Sequence, residues 1–288
     1  MIASAVLSFM MVAHAKATTL QSESIVWAFT ATAEKTSSVQ PFFLTSRSEL
    51  FRLYYKNLSD YNHSIFTGSI PRIESELKNK KLVCYPGSSS ADKRKEFTYS
   101  TPQYIQPAPR LITRKEIADK ILKKGEKSIS LREILHHKEL NGLITEARSY
   151  GPSADKIIAE KPNNLKTQFL DTFGSTILQS IAAGRVDYTL EYDFIVRTMK
   201  EGNPRFTELV SLPISDTSST IVQYLACSKT PEGLAVIKRA DEVIRKNIAR
   251  SEYWKAFLES IPANERGSFQ SEIDKYIAER TKAPVIVE

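Results

Sequence analysis

Short apolar runs alternate with amphipathic segments over the first part of the chain. Apolar and β-branched residues at 24–29, 64–68 and 82–85 predict three short strands. Between them, residues 46–55 and 71–78 place apolar side chains three and four positions apart, which predicts two helices. Strands that alternate with helices in this way are typical of a parallel α/β sheet.

A second alternation follows a proline-rich passage that contains Pro102, Pro107 and Pro109. Its predicted strands cover residues 110–113, 140–147, 165–170 and 186–192, and residues 209–214 lead back out of this part of the chain. Its predicted helices cover residues 131–136, 154–160 and 175–183. One more strand, 221–227, precedes a region that is helical to about Arg280, with breaks near Arg250 and Pro262.

The two alternations and the return strand predict a bilobal α/β protein whose lobes are joined by a hinge. Lobe I is discontinuous and is expected at residues 18–105 and 214–288, while lobe II is expected at residues 106–213. In open α/β sheets, ligands bind beyond the carboxyl ends of the strands. We therefore expect a cleft between the lobes at those ends.

Composition narrows the classes of function. A chain of 288 residues that is 41% hydrophobic and 25% charged has enough apolar residues to form a core, which excludes a mostly disordered chain. Two Cys and four His provide few ligands for a metal centre. His136 and His137 are adjacent, so they point to different faces of a helix and cannot bind one metal ion together. The net charge of +7 is spread along the chain, which indicates a solvated surface and no nucleic-acid partner.

The first residues resemble a secretory signal peptide. An apolar stretch at 2–13 is too short to span a bilayer, and two Ala-x-Ala patterns follow it at 13–17. No basic residue precedes the apolar stretch, and the alternative is a buried N-terminal helix. We expect residues 1–17 to be removed on export to the periplasm. In that oxidising compartment Cys84 and Cys227 either form a disulfide or remain two free buried thiols.

Several motifs in a fixed order resemble the family 3 extracellular solute-binding proteins. They are residues 66–71 (FTGSIP), 87–94 (GSSSADKR), 97–100 (FTYS), 183–188 (AGRVDY) and 224–229 (YLACSK). The likeness spans nearly the whole mature chain and rests on the order of the motifs, since each motif alone is weak. It implies a type II periplasmic-binding fold in which two lobes close on a small polar solute, usually an amino acid.

The resemblance also implies a set of ligand-binding residues in lobe I. Arg94 matches the residue that clamps a ligand carboxylate, and a guanidinium offers two parallel donors to the two oxygens of that group. Arg94 lies in a charged patch at residues 92–96, for which a solvated loop is the alternative. Ser89 would assist through its hydroxyl group and Gly87 through close approach of its backbone. Trp27 and Phe29, on the first strand, would stack against the solute; a role in the core is the alternative for Trp27.

In lobe II, Tyr150, Gly151 and Ser153 lie where a strand gives way to a helix, and free amides there would favour an anion. The sequence departs from the family where amino-acid-binding members carry an acid for the ligand ammonium. Tyr192 occupies that position, between Glu191 and Asp193. The two acids either compensate through a strand bulge or form structural pairs.

The sequence therefore predicts a periplasmic solute-binding protein, not an enzyme, that captures a carboxylate-bearing, amino-acid-like solute. We expect no cofactor and no metal, and a monomer whose partners are the solute and a membrane permease or sensor receptor. Two alternatives stay open. One is a periplasmic, dehydratase-like enzyme on the same fold with Glu191 as acid or base. The other is a sensor whose closed form is presented to a membrane receptor.

Overall fold

The computed structural model describes residues 23–30, 50–79, 81–160, 162–169 and 175–288. The proposed signal peptide at 1–17 lies outside the described residues, as does the beginning of the helix predicted at 46–55. Residues 50–57 are helical, as predicted.

The described strands form two five-stranded sheets. The first sheet contains β1 (Ser24–Thr30), β2 (Asn62–Gly68), β3 (Val83–Ser88), β4 (Thr98–Pro107) and β10 (Thr220–Ser228), in the order β2-β1-β3-β10-β4. The second sheet contains β5 (Arg110–Arg114), β6 (Gly142–Thr145), β7 (Leu165–Gln168), β8 (Tyr188–Glu191) and β9 (Leu209–Leu212), in the order β7-β6-β8-β5-β9.

Helices cover both faces of each sheet. They are α1 (50–57), α2 (Ile70–Lys78), α3 (Lys115–Ile121), α4 (Leu131–Leu135), α5 (Pro152–Ile158), α6 (Ser175–Ala182), α7 (Asp193–Gly202), α8 (Pro231–Asn247), α9 (Ser251–Ser260) and α10 (Arg266–Arg280). None of the helices in the described ranges is long and apolar enough to cross a bilayer.

The side chains of each central strand alternate between two cores, because successive residues of a strand point to opposite faces. On β1, Trp27 belongs to the core under α1 and α8, whereas Ala28 belongs to the core under α2. On β5, Leu111 and Ile112 divide between the α4–α5 side and the α6–α7 side in the same way. Burial on both faces explains why these strands read as continuous apolar runs.

The chain crosses between the two sheets at residues 108–109 and 213–219, and these crossings lie side by side. The amide of Ala108 donates to the carbonyl of Ser219 at 2.9 Å. Each crossing joins a strand of one sheet to a strand of the other. The two lobes are therefore joined by a pair of short adjacent segments, as a hinge requires.

The sequence prediction was wrong for several elements. Both sheets are mixed. In the first, β10 returns from the second sheet and runs antiparallel to β3 and β4, and in the second, β5 runs antiparallel to β8 and β9. Pro102 and Pro107 of the proline-rich passage lie in β4, an edge strand, where the missing N–H group of proline is tolerated, and Pro109 lies in the crossing that follows. Helix α3 was not predicted. The strand predicted at 186–192 ends at Glu191, and α7 begins two residues later.

A disulfide joins β3 to β10. Cys84 and Cys227 face each other in the antiparallel pair, with their Cα atoms 4.0 Å apart, and both are fully buried. The sequence left this pairing open, and the tertiary structure forms it. The bond fastens the strand that returns from the second sheet to the centre of the first.

Candidate functional site

Lobe I and lobe II meet through loops that follow the carboxyl ends of β3 and β6. The Ser89 hydroxyl donates to the backbone carbonyl of Ser149 at 3.2 Å. The Lys93 ammonium donates to the backbone carbonyl of Ala147 at 2.9 Å. Ala147, Arg148 and Ser149 form what we call the 147–149 loop, and they bring lobe II against the segment that carries Arg94.

The 147–149 loop is held in an unusual backbone shape. Ala147 has φ +60°, in the left-handed region that residues with a side chain rarely adopt. Asp155 accepts hydrogen bonds from the Tyr150 amide at 2.7 Å and from the Ser149 hydroxyl. Strained backbone of this kind persists where its surroundings over-determine it, and it clusters at functional sites.

Arg94 is buried in lobe I, with 2% of its surface exposed. Its Nη2 lies 2.8 Å from the carboxylate of Glu74 on α2, and its Nη1 donates weakly to the Ser88 hydroxyl at 3.4 Å. Its Nε is buried and has no hydrogen-bond partner. A buried donor without a partner is costly, so this guanidinium retains capacity for a further acceptor.

A second buried guanidinium, Arg148, is saturated. Its Nη1 and Nη2 donate to the two carboxylate oxygens of Glu191, each at 2.7 Å, and one of those oxygens also accepts the Tyr192 amide at 2.8 Å. The Tyr150 and Tyr192 rings lie 4.9 and 5.3 Å from its guanidinium carbon. This bidentate geometry is the strongest arrangement available to an arginine and a carboxylate.

Burial and neighbouring charges shift the ionisation of these groups. Burial alone would lower the pKa of Arg148, but the adjacent Glu191 carboxylate raises it above its ordinary value. Burial and the neighbouring Arg94 charge lower the pKa of Lys93, although Asp155 and Glu74 act in the opposite direction. The two acids thus partly offset the effect of burial on the pKa of Lys93.

The lobe I residues that were predicted to contact a solute lie in different environments, some at the contact between the lobes and some in the core. Ser89 lies at the contact between the lobes, beside the Arg94 segment. Trp27 is 0% exposed and stacks on the Tyr54 ring at 5.7 Å, which makes it a core residue. Phe29 is half-buried and packs against Phe51.

Gly87 lies in β3 within a crowded space. A Cβ atom there would lie 2.8 Å from the Tyr85 ring, so in this structure its close neighbour is a side chain of lobe I.

The lobe II residues Tyr150, Gly151 and Ser153 lie around the start of α5. The Gly151 amide donates to the Ser149 hydroxyl, so this amide and that of Tyr150 are already hydrogen-bonded within the chain. Gly151 has φ +97°, and a Cβ atom there would lie 2.5 Å from the Ile221 side chain. The Ser153 hydroxyl lies 3.3 Å from that of Ser218, in the return crossing.

Tyr192 is buried and stacks on Phe194. Asp193 begins α7 and pairs with Arg197 one helical turn later, at 2.8 Å. The acid on either side of Tyr192 is thus paired with an arginine of its own lobe. The strand bulge considered from sequence does not occur at this position, because β8 has already ended.

A small cavity lies between α5 and the two crossing segments. Its volume is about 20 Å³, and Pro109, Gly151, Ser153, Ser218 and Ile221 are among its lining residues. A space of this size holds a single water molecule. With the lobes in this arrangement, the room beside the hinge is nearly filled by the protein itself.

Sequence reasoning did not single out four residues that shape this region: Glu74, Lys93, Arg148 and Asp155. Lys93 was interpreted only as part of a charged patch around Arg94. Glu74, Lys93 and Arg148 have partners at least twenty residues away along the chain, whereas Asp155 binds its own loop, five and six residues before it. No motif or periodicity in the sequence marks such pairs.

Comparison of the sequence with protein-family models finds no match, and neither does comparison with curated proteins. The structure, however, is similar to many solved structures. An ancestral arginine-binding protein bound to arginine has 13% sequence identity and a TM-score of 0.58, over 84% of this chain and 99% of that one.

Two further solved structures have the same TM-score. An amino acid ABC transporter substrate-binding protein from Streptococcus pneumoniae, bound to L-arginine, is 16% identical with a TM-score of 0.58, over 83% of this chain and 93% of that chain. A histidine kinase sensor domain with similarity to periplasmic binding proteins is 15% identical with a TM-score of 0.58, over 83% and 96%. At such identity the likeness concerns the fold, and it confirms the predicted bilobal α/β architecture.

Proposed function

We propose that this chain is a solute-binding protein that captures a small carboxylate-bearing solute between its two lobes. One observation carries the proposal: the buried Arg94 guanidinium has an unpaired Nε and lies on the segment that meets the other lobe. A carboxylate is the acceptor that best matches a guanidinium in geometry and charge. The structurally similar proteins include amino-acid-binding proteins of ABC transporters, which supports the proposal.

Solute capture couples to lobe closure in this proposal. In this arrangement, Ser89 and Lys93 of lobe I donate to the 147–149 loop of lobe II. A solute bound between these segments contacts both lobes only when the lobes are closed. A ligand shifts an equilibrium between two conformations by as much as its affinity for them differs. The solute is therefore expected to make the protein more compact.

We propose the periplasm as the site of this activity and a permease or a membrane sensor as the partner of the closed form. The similarity to a histidine kinase sensor domain supports sensing as a second candidate role. An acid–base enzyme is disfavoured because the one acid proposed for that role, Glu191, has both oxygens bound to Arg148. The monomeric state expected from sequence remains a prediction.

A binding experiment with a matched pair of variants tests the proposal. A thermal-shift screen with small carboxylates should identify compounds that raise the melting temperature, since a ligand of the folded state stabilises it by mass action. Calorimetric titration of such a compound should show that Arg94→Lys lowers affinity by about ten- to a hundredfold, because a single point charge replaces a bidentate donor.

The neighbouring Lys95 provides the control for this experiment. Lys95 lies in the same charged patch but is exposed, and its ion pair among the described residues is with Asp92. The Lys95→Ala variant should bind as the unmodified protein does. If Arg94→Lys folds normally and binds the same compound with unchanged affinity, Arg94 is not the carboxylate clamp.

A further inference from the structure

Strand β10 lies between β3 and β4, and its pairing is irregular on both sides at the same level, next to Tyr224. Against β3, the step from Tyr224 to Ala226 covers two positions of β10 but three of β3. Against β4, the step from Gln223 to Tyr224 covers one position of β10 but two of β4, so Gln103 is an extra residue in its strand. Extra residues of this kind form β-bulges, which re-aim side chains and are common beside functional sites.

The side chain of Gln103 connects these two bulges across β10. It is fully buried, and its Nε2 donates to the carbonyl of Pro86, in the bulged part of β3, at 2.6 Å. Its Oε1 accepts the hydroxyl of Tyr54, on α1, at 2.9 Å. A carbonyl oxygen only accepts hydrogen bonds, so the amide nitrogen has to face Pro86 and the amide oxygen has to face Tyr54. Burial raises the pKa of Tyr54 well above its ordinary value, which keeps its hydroxyl a donor.

Pro86 lies where β3 passes into the segment that carries Arg94. Two residues later, the Ser88 hydroxyl accepts a hydrogen bond from the Arg94 guanidinium. The next residue, Ser89, donates to the Ser149 carbonyl of lobe II. Binding groups work only when neighbouring residues hold them within about 0.5 Å of their productive positions. A shift of the Pro86 carbonyl would therefore displace both the contact to Arg94 and the contact to the other lobe.

We propose that Gln103 is a positioning residue for solute binding, because its side chain fixes the end of β3 from which the Arg94 segment continues. Gln103 acts through the Pro86 carbonyl and from within the core of lobe I. The position requires a side chain that donates on one side and accepts on the other, which an amide does. The inference rests on the proposed function, since the segment that Gln103 holds is the one that carries Arg94.

Hydrogen exchange of the solute-free protein tests this inference before any solute is known. Gln103→Met keeps the length of the side chain and removes both of its hydrogen bonds. Amides of residues 83–94 should then exchange about tenfold faster than in the unmodified protein, because an unpartnered buried carbonyl weakens the structure around it. Amides of β5 and β8, in lobe II, should exchange as before. Unchanged exchange at 83–94, or an equal increase throughout lobe I, would overturn the inference.

Tyr253 provides a matched control. Its hydroxyl donates to the backbone carbonyl of Gln103 at 2.6 Å, so Tyr253→Phe removes a hydrogen bond from the same residue and leaves its amide side chain in place. Exchange of residues 83–94 in this variant should stay within about twofold of that in the unmodified protein. The same acceleration in both variants would show a general loosening of the core, which would contradict a specific role of the amide.

The conservative variant Gln103→Glu tests the need for a donor. At about pH 5 the introduced carboxyl group is protonated, since burial raises its pKa above the ordinary value of about 4.3, and it can donate to Pro86 and accept from Tyr54. At about pH 9 it is ionised and has no donor. Exchange of residues 83–94, relative to the unmodified protein at the same pH, should therefore be near normal in acid and about tenfold faster in base. Fast relative exchange in acid would show that a donor to Pro86 is not what holds the segment.

Calorimetric titration then measures the effect on binding. The probes are succinate, L-glutamate and L-arginine, which all carry a carboxylate. For each probe that binds, Gln103→Met should lower affinity about tenfold and Tyr253→Phe should leave it within about twofold. If Gln103→Met folds and binds with unchanged affinity, the inference is overturned and the proposed function stands. If no probe binds the unmodified protein, the proposed function loses its support, and the exchange measurement alone decides whether Gln103 holds the Arg94 segment.

Discussion

Two buried arginines near the junction of the lobes each pair with a glutamate, and they differ in how completely each guanidinium is used. Arg148 places both Nη atoms on Glu191 in a bidentate pair. Arg94 forms an ion pair with Glu74 through a single Nη atom, and its buried Nε has no hydrogen-bond partner. A saturated pair holds a loop in place, whereas an unsaturated one can accept a ligand. The same two residue types thus have different roles because their geometry differs.

The Glu74 carboxylate competes with the solute for Arg94, so its charge can be tested directly. Glu74→Gln should increase affinity for a bound carboxylate about tenfold, or ~1.4 kcal/mol. Like charges about 5 Å apart repel by a few kcal/mol at an effective dielectric constant of about 20. Calorimetric titration measures the change, and Glu76→Gln on the same helix is the control. A fall in affinity would instead show that Glu74 positions Arg94.

At the scale of elements, the disulfide adds a covalent link to the antiparallel pairing of β10 with β3. This strand follows the whole of lobe II in sequence yet pairs with β3 near the centre of the first sheet, and Cys84 and Cys227 are 143 residues apart. Closing so long a loop restricts the unfolded chain strongly. The bond therefore stabilises the discontinuous lobe at the point where its two segments meet.

Removal of this bond should cost much of the stability of lobe I. The double variant Cys84→Ala, Cys227→Ala should lose about 4–5 kcal/mol of unfolding free energy, the loop-closure value for a loop of this length. Urea unfolding without reductant measures the loss as a lower midpoint. Reductant should then leave the double variant unchanged while lowering the midpoint of the unmodified protein. Equal midpoints without reductant would show that the disulfide adds no stability.

At the scale of the whole molecule, two thin crossings and a few side-chain contacts hold the lobes together. The crossings at 108–109 and 213–219 hydrogen-bond to each other. Across the interface, Lys93 and Ser89 donate to the 147–149 loop, and Arg110 of β5 pairs with Glu265 of lobe I. Two lobes with few contacts between them favour hinge motion over rearrangement within each lobe.

The contact between Lys93 and Ala147 should influence how far the solute-free protein opens. Lys93→Met should shift the open-to-closed ratio about two- to fivefold toward open, since a partly exposed, charge-assisted hydrogen bond contributes roughly 0.5–1 kcal/mol. Small-angle scattering of the solute-free protein should show a larger radius of gyration. Lys95→Met is the control, because the described contacts of Lys95 stay within lobe I. Identical scattering from both variants would contradict this role of Lys93.

The element pattern was predictable because it depends on local periodicity and on burial. Strands such as β1 and β3 are apolar on both faces, and α2 has Pro71 in its first turn. Both features are visible in a short stretch of sequence. The breaks between α8, α9 and α10 occur near Arg250 and Pro262, as expected. β4 was missed because its prolines are acceptable only at a sheet edge, and edge position is a property of the whole sheet.

The sequence by itself determined that this protein has two α/β layers and that an arginine follows the third strand, since both depend on neighbouring residues. Only the tertiary structure decided which charges meet. Arg148 and Glu191 come from loops and strands 43 residues apart, and Glu74 reaches Arg94 from a different element. Ion pairs and cross-sheet bonds depend on where the folded chain brings distant residues together. Neither the periodicity nor the composition of the chain records that arrangement.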